Sequence, residues 1–182
     1  WEGRNQRAVW VGMRRMDRKT KARIIRQSPA THPAPMKRIP ELQPLSMEHH
    51  LSLSLAVRAM RVARSDDAAA KQALCAQIVE EYATRWRPHF DAEERCLFAP
   101  FGDRSPAIRA LCDQLTAEHR RFDAWAEQMR QGDCSGLEAF GELLQSHTRL
   151  EERELFEALS HLLTEQELEQ VGRCLGADTV TA

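Results

Sequence analysis

The sequence predicts an all-α protein, and two observations carry this prediction. The 182 residues contain only eight Gly and eight Pro, which is little material for the closely spaced turns of a β-sandwich or barrel. Apolar residues recur instead at helical spacing in four long segments, each bounded by capping or breaking residues. We therefore expect an up-down-up-down four-helix bundle, followed by a short C-terminal helix.

The first two long helices are separated by a polar turn. The first is predicted from about 45 to 64, after the proline at position 44. Ser65-Asp66-Asp67 supplies an N-cap for the second helix, which is expected to end near Ala99-Pro100. Pro88 falls inside this helix and cannot donate a backbone hydrogen bond, so we expect the helix to kink or open just before His89.

The remaining helices are predicted from capping patterns. Ser105-Pro106 is an N-cap followed by proline in the first turn, and it opens a third helix that closes at the Gly132-Asp133 turn. The spacing Ser135-x-x-Glu138 predicts a capping box for the fourth helix, and Thr164-x-x-Glu167 predicts another for the tail helix.

Charge divides the chain into two unlike parts. Residues 1–40 carry 11 Lys and Arg against two acidic residues, whereas the remainder carries 15 against 25. The first part lacks helical periodicity, and we interpret it as a disordered basic leader. Three origins remain open for it: upstream translated sequence, a targeting segment, or a basic arm for nucleic acid. The metal-binding domain is expected over 41–176, with a tail at 177–182.

Cysteine usage and hydropathy suggest a compartment. The five cysteines are odd in number and scattered, without a Cys-x-x-Cys pair, so the sequence predicts neither a disulfide framework nor a zinc site of paired thiolates. There is no run of about 18 apolar residues that would form a membrane span. We accordingly predict a cytoplasmic protein without a membrane partner.

Histidines and glutamates form the constellation that predicts chemistry. Four of the seven histidines fall one on each long helix, with His50 beside His49, and two of the four are followed four residues later by glutamate. Residues at this spacing share a helix face, so all six side chains can reach one core. The candidate metal ligands are His49, His89, Glu93, His119, His147 and Glu151.

Imidazole with carboxylate is a donor set that iron accepts, and glutamate is long enough to bridge two ions. Counting from the shared turns places His119 and His147 at equal height. The same counting leaves His49 and His89 offset by about 9 Å. The alternative is that the four histidines have no common function and that each forms hydrogen bonds within the core. Two buried glutamates without a cation would be costly, which favours the metal site.

The strings around these residues resemble the hemerythrin-like, or HHE cation-binding, domain family. The run His89-Phe90-Asp91-Ala92-Glu93-Glu94-Arg95-Cys96-Leu97-Phe98 is similar to its second-helix signature. Three further segments resemble the family's motifs on the first, third and fourth helices, respectively: Glu48-His49-His50, Glu118-His119-Arg120 and His147 to Glu151. The resemblance covers about residues 42–163.

The resemblance implies two non-haem iron ions joined by two carboxylates and an oxo or hydroxo bridge. The four histidines would be terminal ligands, with Glu93 and Glu151 as the bridges. The implied partner is O₂ or another small diatomic or oxidant. The protein would then bind or sense O₂ or redox state, or handle iron; no nucleic-acid partner is expected, and a protein partner stays undefined. Two alternatives are a di-iron enzyme acting on peroxide or NO and a metal-free helical interaction module.

Two positions leave the ligand count open. His50 lies about 100° round the helix from His49 and could replace it or add a fifth imidazole. Oxygen-carrying members of the family have a second histidine on the third helix, one turn from the first, whereas here the positions four before and four after His119 are Leu115 and Asp123. Asp123 would then be a ligand, or one iron would keep an extra open position, and reversible O₂ transport is in doubt.

Overall fold

The structure is a computed structural model that describes residues 39–178. Residues 1–38 of the predicted leader and residues 179–182 of the predicted tail lie outside this range. Every element in the described range is helical, as the composition predicts. None of the described helices is long and apolar enough to cross a membrane.

Four long helical stretches and a fifth, shorter helix follow one another along the chain. After a 3₁₀ turn at Pro40–Leu42, the first stretch is α1, Gln43–Ala63. The second stretch is continuous and comprises α2 (Ala68–Glu81), a π-helical turn (Tyr82–Trp86), α3 (Arg87–Glu93), a second π-helical turn (Glu94–Phe98), α4 (Ala99–Phe101) and a 3₁₀ turn (Gly102–Arg104).

The third stretch is α5, Pro106–Arg130. The fourth comprises α6 (Leu137–Leu150), a third π-helical turn (Glu151–Leu155) and α7 (Phe156–Leu162). Helix α8, Glu165–Asp178, is the fifth.

Helix starts follow the predicted caps at three of four places. The Asp67 side chain accepts from the Ala70 N–H at 2.9 Å, and the Ser105 hydroxyl accepts from the Ile108 N–H at 3.2 Å. Thr164 and Glu167 exchange the two reciprocal bonds of a capping box.

The predicted capping box at the fourth stretch is wrong. Helix α6 begins after Gly136, with no side-chain cap. The Ser135 N–H donates instead to the Asp133 carboxylate at 2.9 Å, which ties residue 135 into the preceding turn. A Cβ at Gly136 would lie 2.7 Å from the Trp125 ring, so this close approach requires glycine at the start of the helix.

The opening predicted before His89 is present as a π-helical turn. Within Tyr82–Trp86 the hydrogen bonds widen, and the Arg87 N–H donates to the Tyr82 carbonyl five residues earlier. The turn ends directly before Pro88, which has no N–H to donate. Because a π turn takes up more residues than an α turn, it shortens the second stretch on the way to His89 and removes part of the predicted offset from His49.

The prediction that the cysteines form no disulfides is wrong. Cys75 pairs with Cys134, and Cys96 pairs with Cys174; their Cα atoms lie 6.2 and 5.8 Å apart. Cys112 is a free, buried thiol. The partners are 59 and 78 residues apart in sequence, and only the packing of the helices brings them together. The scattered cysteines therefore no longer support the prediction of a cytoplasmic protein.

The apolar core consists of two clusters, and along individual helices polar residues separate the members of one cluster from those of the other. On α1, His49 falls between Leu45 of one cluster and Leu55 of the other. On α5, His119 falls between Leu115 and Phe122 in the same way. The candidate ligands therefore lie in the middle of the core, where a charge without a partner would be costly.

Helix α1 packs most extensively against α6, and a glycine permits the close approach. A Cβ at Gly141 would lie 2.8 Å from the Ala56 carbonyl oxygen and 3.1 Å from the Ala59 Cβ. We expect Gly141→Ala to lower the free energy of unfolding by about 1–3 kcal/mol through overpacking. Urea denaturation measures it.

Gly176 on α8 is the matched control, because nothing lies within 4 Å of its added Cβ. Gly176→Ala should be neutral or stabilising by up to about 1 kcal/mol. Equal effects of the two substitutions would contradict the argument from close packing.

Candidate metal centre

The six candidate ligands meet in the interior, although they come from four separate stretches. Each is at most 4% exposed. They form two overlapping groups whose ligand atoms lie within 4.8 Å of one another. One group contains Glu93, His119, His147 and Glu151; the other contains His49, His89 and Glu93.

Both glutamates lie between imidazoles of the two groups. Glu93 Oε1 is 3.1 Å from His89 Nε2 and 3.4 Å from His49 Nε2, and Glu93 Oε2 is 3.5 Å from His119 Nε2. Glu151 Oε2 is 3.3 Å from His49 Nε2, and Glu151 Oε1 is 3.3 Å from His147 Nε2. Each carboxylate therefore has one oxygen beside an imidazole of each group.

The local reason for this convergence is the spacing within two helices. His89 and Glu93 are four residues apart, as are His147 and Glu151, and four residues rotate a helix by about 400°. Both members of each pair therefore project from nearly the same face. The first and third stretches each add one imidazole, from His49 and His119.

Five atoms that face the centre have no hydrogen-bond partner among the described residues. They are Glu93 Oε2, both carboxylate oxygens of Glu151, and the Nε2 atoms of His119 and His147. Buried polar atoms are almost always paired, and leaving a charged one unpaired costs several kcal/mol. A cation at each group would satisfy these atoms at once, so the donor set fits divalent transition metals such as iron.

The carboxylates at this centre raise the pKa of neighbouring imidazoles, and the imidazoles lower the pKa of Glu93. Burial alone would lower the pKa of His49, but the neighbouring carboxylates of Glu151, Glu152 and Glu93 outweigh it and raise the pKa to about 12. Burial likewise opposes charge on His147, yet Glu151 and Glu118 raise its pKa to about 10. Burial would raise the pKa of Glu93, but the surrounding imidazoles, His89 first, lower it well below its usual range.

Aromatic side chains enclose the imidazoles. The Phe90 ring stacks on His119 with centroids 4.2 Å apart, and Phe98 stacks on the same imidazole at 5.7 Å. Phe156 stacks on His49 at 5.5 Å. These rings exclude water from the centre and restrict rotation of the imidazoles.

Each of the four imidazoles has a further glutamate beside its outer nitrogen, Nδ1. The sequence analysis did not identify these four glutamates as site residues. His49 Nδ1 lies 2.7 Å from Glu152, His119 Nδ1 2.8 Å from Glu94, and His147 Nδ1 2.8 Å from Glu118. His89 Nδ1 lies 2.5 Å from Glu48, at ion-pair distance but without hydrogen-bond geometry. A sequence signal exists, because each of these glutamates is next to a candidate ligand in the chain.

The two less secure candidate ligands lie outside both groups. His50 is exposed on α1. Asp123 accepts a hydrogen bond from the Tyr82 hydroxyl at 2.8 Å and pairs with Arg87 at 2.9 Å. The Asp123 carboxylate thus forms its contacts with Tyr82 and Arg87, outside the two groups of candidate ligands. Neither residue extends the donor set.

An all-helical domain with a buried cluster of imidazoles and carboxylates defines a class of cation-binding helical proteins. Residues 43–159 match the family described as the hemerythrin HHE cation binding domain, and the chain belongs to that family. No curated protein and no solved structure matches the chain.

Proposed function

We propose that the chain holds two iron ions and binds or senses O₂ or another small oxidant. Membership of the family supports cation binding, and one observation carries the finer proposal. Glu93 and Glu151 are fully buried, and each lies between imidazoles of both groups. A single ion needs no such sharing, whereas two ions need a donor common to both.

The proposed ligands divide between the two ions. His49 and His89 would bind one ion, and His119 and His147 the other, with Glu93 and Glu151 shared. Each ion would then have four protein donors, fewer than the six that octahedral iron accepts. Bound iron would supply a redox-active centre with positions free for a small ligand. The protein residues hold the imidazoles in place and keep bulk water out.

The arrangement of helices also supports the predicted up-down-up-down topology, which we retain as part of this proposal. The first stretch packs against the fourth, the second against the third, and consecutive stretches are joined by short turns. One proposed imidazole comes from each stretch, as metal centres in the core of four-helix bundles require.

The proposal is tested by loading the purified protein with Fe²⁺ without oxygen and recording its absorption spectrum before and after exposure to O₂. We expect about two irons per chain and, after oxidation, the charge-transfer bands of a bridged ferric pair. His89→Ala and Glu151→Ala should abolish both signals. His50→Ala, on the exposed side of α1, should leave both unchanged.

Three results would revise the proposal in different ways. A protein that binds no transition metal would be a helical interaction module. Binding of one ion per chain would overturn the bridging roles. Catalytic turnover of peroxide or NO by the loaded protein would reassign it as an enzyme.

A further inference from the structure

We infer that Glu48, Glu94, Glu118 and Glu152 form a closed ring of positioning residues around the metal centre. We call these four residues the carboxylate ring. The inference rests on the proposed function, because the ring would act on the imidazoles that bind the metal.

The ring closes because each stretch supports the histidine of the next. Glu48 of the first stretch contacts His89 of the second, and Glu94 of the second contacts His119 of the third. Glu118 of the third contacts His147 of the fourth, and Glu152 of the fourth returns to His49 of the first. All four contacts join different stretches, so the ring links all four of them.

The positions of the ring glutamates follow one geometric rule. In the first and third stretches the ring glutamate precedes the candidate ligand by one residue, as in Glu48-His49 and Glu118-His119. In the second and fourth it follows the ligand by one, as in Glu93-Glu94 and Glu151-Glu152.

One residue rotates a helix by about 100°. Reversing a helix reverses the sense of that rotation when all four are viewed from one end. A glutamate one residue before the ligand on one helix and one residue after the ligand on its antiparallel neighbour are therefore displaced in the same direction around the bundle. For this reason each ring glutamate contacts the histidine of the next stretch.

The chemical effect of the ring is to fix which nitrogen of each imidazole faces the metal. An ionised carboxylate only accepts hydrogen bonds. A neutral histidine beside one must therefore carry its proton on Nδ1, and its Nε2 lone pair then points into the centre. Hydrogen bonding of this kind orients metal-binding imidazoles and makes them more basic.

Three of the ring carboxylates are themselves held by other side chains. Arg120 donates to Glu94 at 2.7 Å, Gln114 to Glu118 at 2.9 Å, and Ser46 to Glu152 at 2.7 Å. Exposure of the carboxylate side chains rises from 11% at Glu118 through 23% at Glu94 and 30% at Glu152 to 44% at Glu48. Because water weakens exposed ion pairs, we expect Glu118 to matter most and Glu48 least.

The test combines affinity with a probe of the imidazole proton. Fe²⁺ affinity is measured without oxygen by competition with a chelator, and ¹⁵N NMR of the Zn²⁺-loaded protein follows each histidine Nδ1–H. Glu118→Ala should lower the Fe²⁺ affinity by about 10–100-fold and expose the His147 Nδ1–H to rapid exchange, leaving the other imidazole signals in place. Glu118→Gln retains an acceptor oxygen and should restore the protected signal and part of the affinity.

Controls separate positioning from a general structural role. Asp113→Ala removes an exposed carboxylate from the same helix and should change neither readout. Glu94→Ala, observed at His119, serves as the second variant in case Glu118→Ala fails to fold. Circular dichroism verifies that each variant keeps its helix content.

The possible results distinguish failure of the carboxylate ring from failure of the proposed function. If the parent protein binds neither Fe²⁺ nor Zn²⁺, the proposed function and the ring both fall. If the parent binds two ions while Glu118→Ala and Glu94→Ala bind within twofold of it and keep their protected Nδ1–H signals, the ring is overturned and the proposed function stands. An equal loss in Asp113→Ala would also overturn the ring.

Discussion

Glu93→Gln is expected to remove both metal ions from the protein. Glu93 belongs to both groups of candidate ligands, and it is fully buried. The neutral amide keeps the size of the side chain but leaves the centre with one negative charge fewer. Removing one partner from a buried charged pair costs about 3–5 kcal/mol, which corresponds to a loss of affinity of about 100-fold or more. Metal analysis of the protein after loading and desalting measures the effect.

Glu154→Gln is the control for this substitution. Glu154 lies three residues beyond Glu151 in the same π-helical turn but is exposed, so its variant should retain the full metal content. If Glu93→Gln still binds two ions with the parent affinity, Glu93 does not bridge the two groups.

Phe90→Ala is expected to lower the free energy of unfolding of the metal-free protein by about 3–5 kcal/mol. Phe90 is 2% exposed and stacks on His119 and Phe122, with centroids 4.2 and 5.3 Å away. The substitution leaves a cavity beside the imidazoles of both His119 and His147. We therefore expect reduced iron affinity as well. Urea denaturation without metal measures the loss of stability.

Two companion variants decide whether the cavity is the cause. Phe90→Leu fills part of the space and should cost less than Phe90→Ala. Leu162→Ala truncates a side chain that is 47% exposed and should change stability by at most about 0.5 kcal/mol. A loss below about 1 kcal/mol for Phe90→Ala would show that the surrounding rings collapse into the space.

The helices could be predicted where their signals are local. Asp67, Ser105 and the pair Thr164 and Glu167 cap helices through bonds that span three residues, so the sequence alone identifies them. Ser135 has the same local pattern but does not cap a helix. Helix α6 begins instead after Gly136, whose close approach to the Trp125 ring is a packing contact between successive stretches.

The inward-facing residues of the centre could also be predicted, because helical spacing determines which residues share a face. The outer contacts could not, since a glutamate beside a ligand is equally suited to solvent or to a neighbouring helix. Glu152, for example, lies in an acidic run that gives no indication of its contact with His49. Asp123 shows the converse, because its position suggested a ligand and its carboxylate pairs with Arg87.

The disulfides were beyond the reach of sequence reasoning. Cys96 and Cys174 are 78 residues apart, and no local pattern relates them. Their pairing depends on how α8 returns to the second stretch, which is a property of the tertiary structure. Cysteine spacing does not determine which cysteines pair, even in small disulfide frameworks.

The three π-helical turns have a consequence for the periodicity of the core. Buried residues of the second stretch repeat every four positions, at Leu74, Ile78, Tyr82, Trp86 and Phe90. In an uninterrupted α-helix each such step exceeds a full turn by about 40°, so Phe90 would lie about 160° round from Leu74. The π-helical turn at Tyr82–Trp86 takes up one extra residue and so removes about 100° of this drift.

The same four-residue repeat runs through each pair of ligands and the π turn that follows it. It continues from Glu93 to Leu97 and from Glu151 to Leu155, and all four of these side chains are buried. Each π turn therefore acts as a one-residue phase correction that keeps ligand and apolar residues on one face. Deleting a single residue from Tyr82–Trp86 would convert this wide turn into an α-helical turn and leave Leu74 and Ile78 in their present orientation relative to His89.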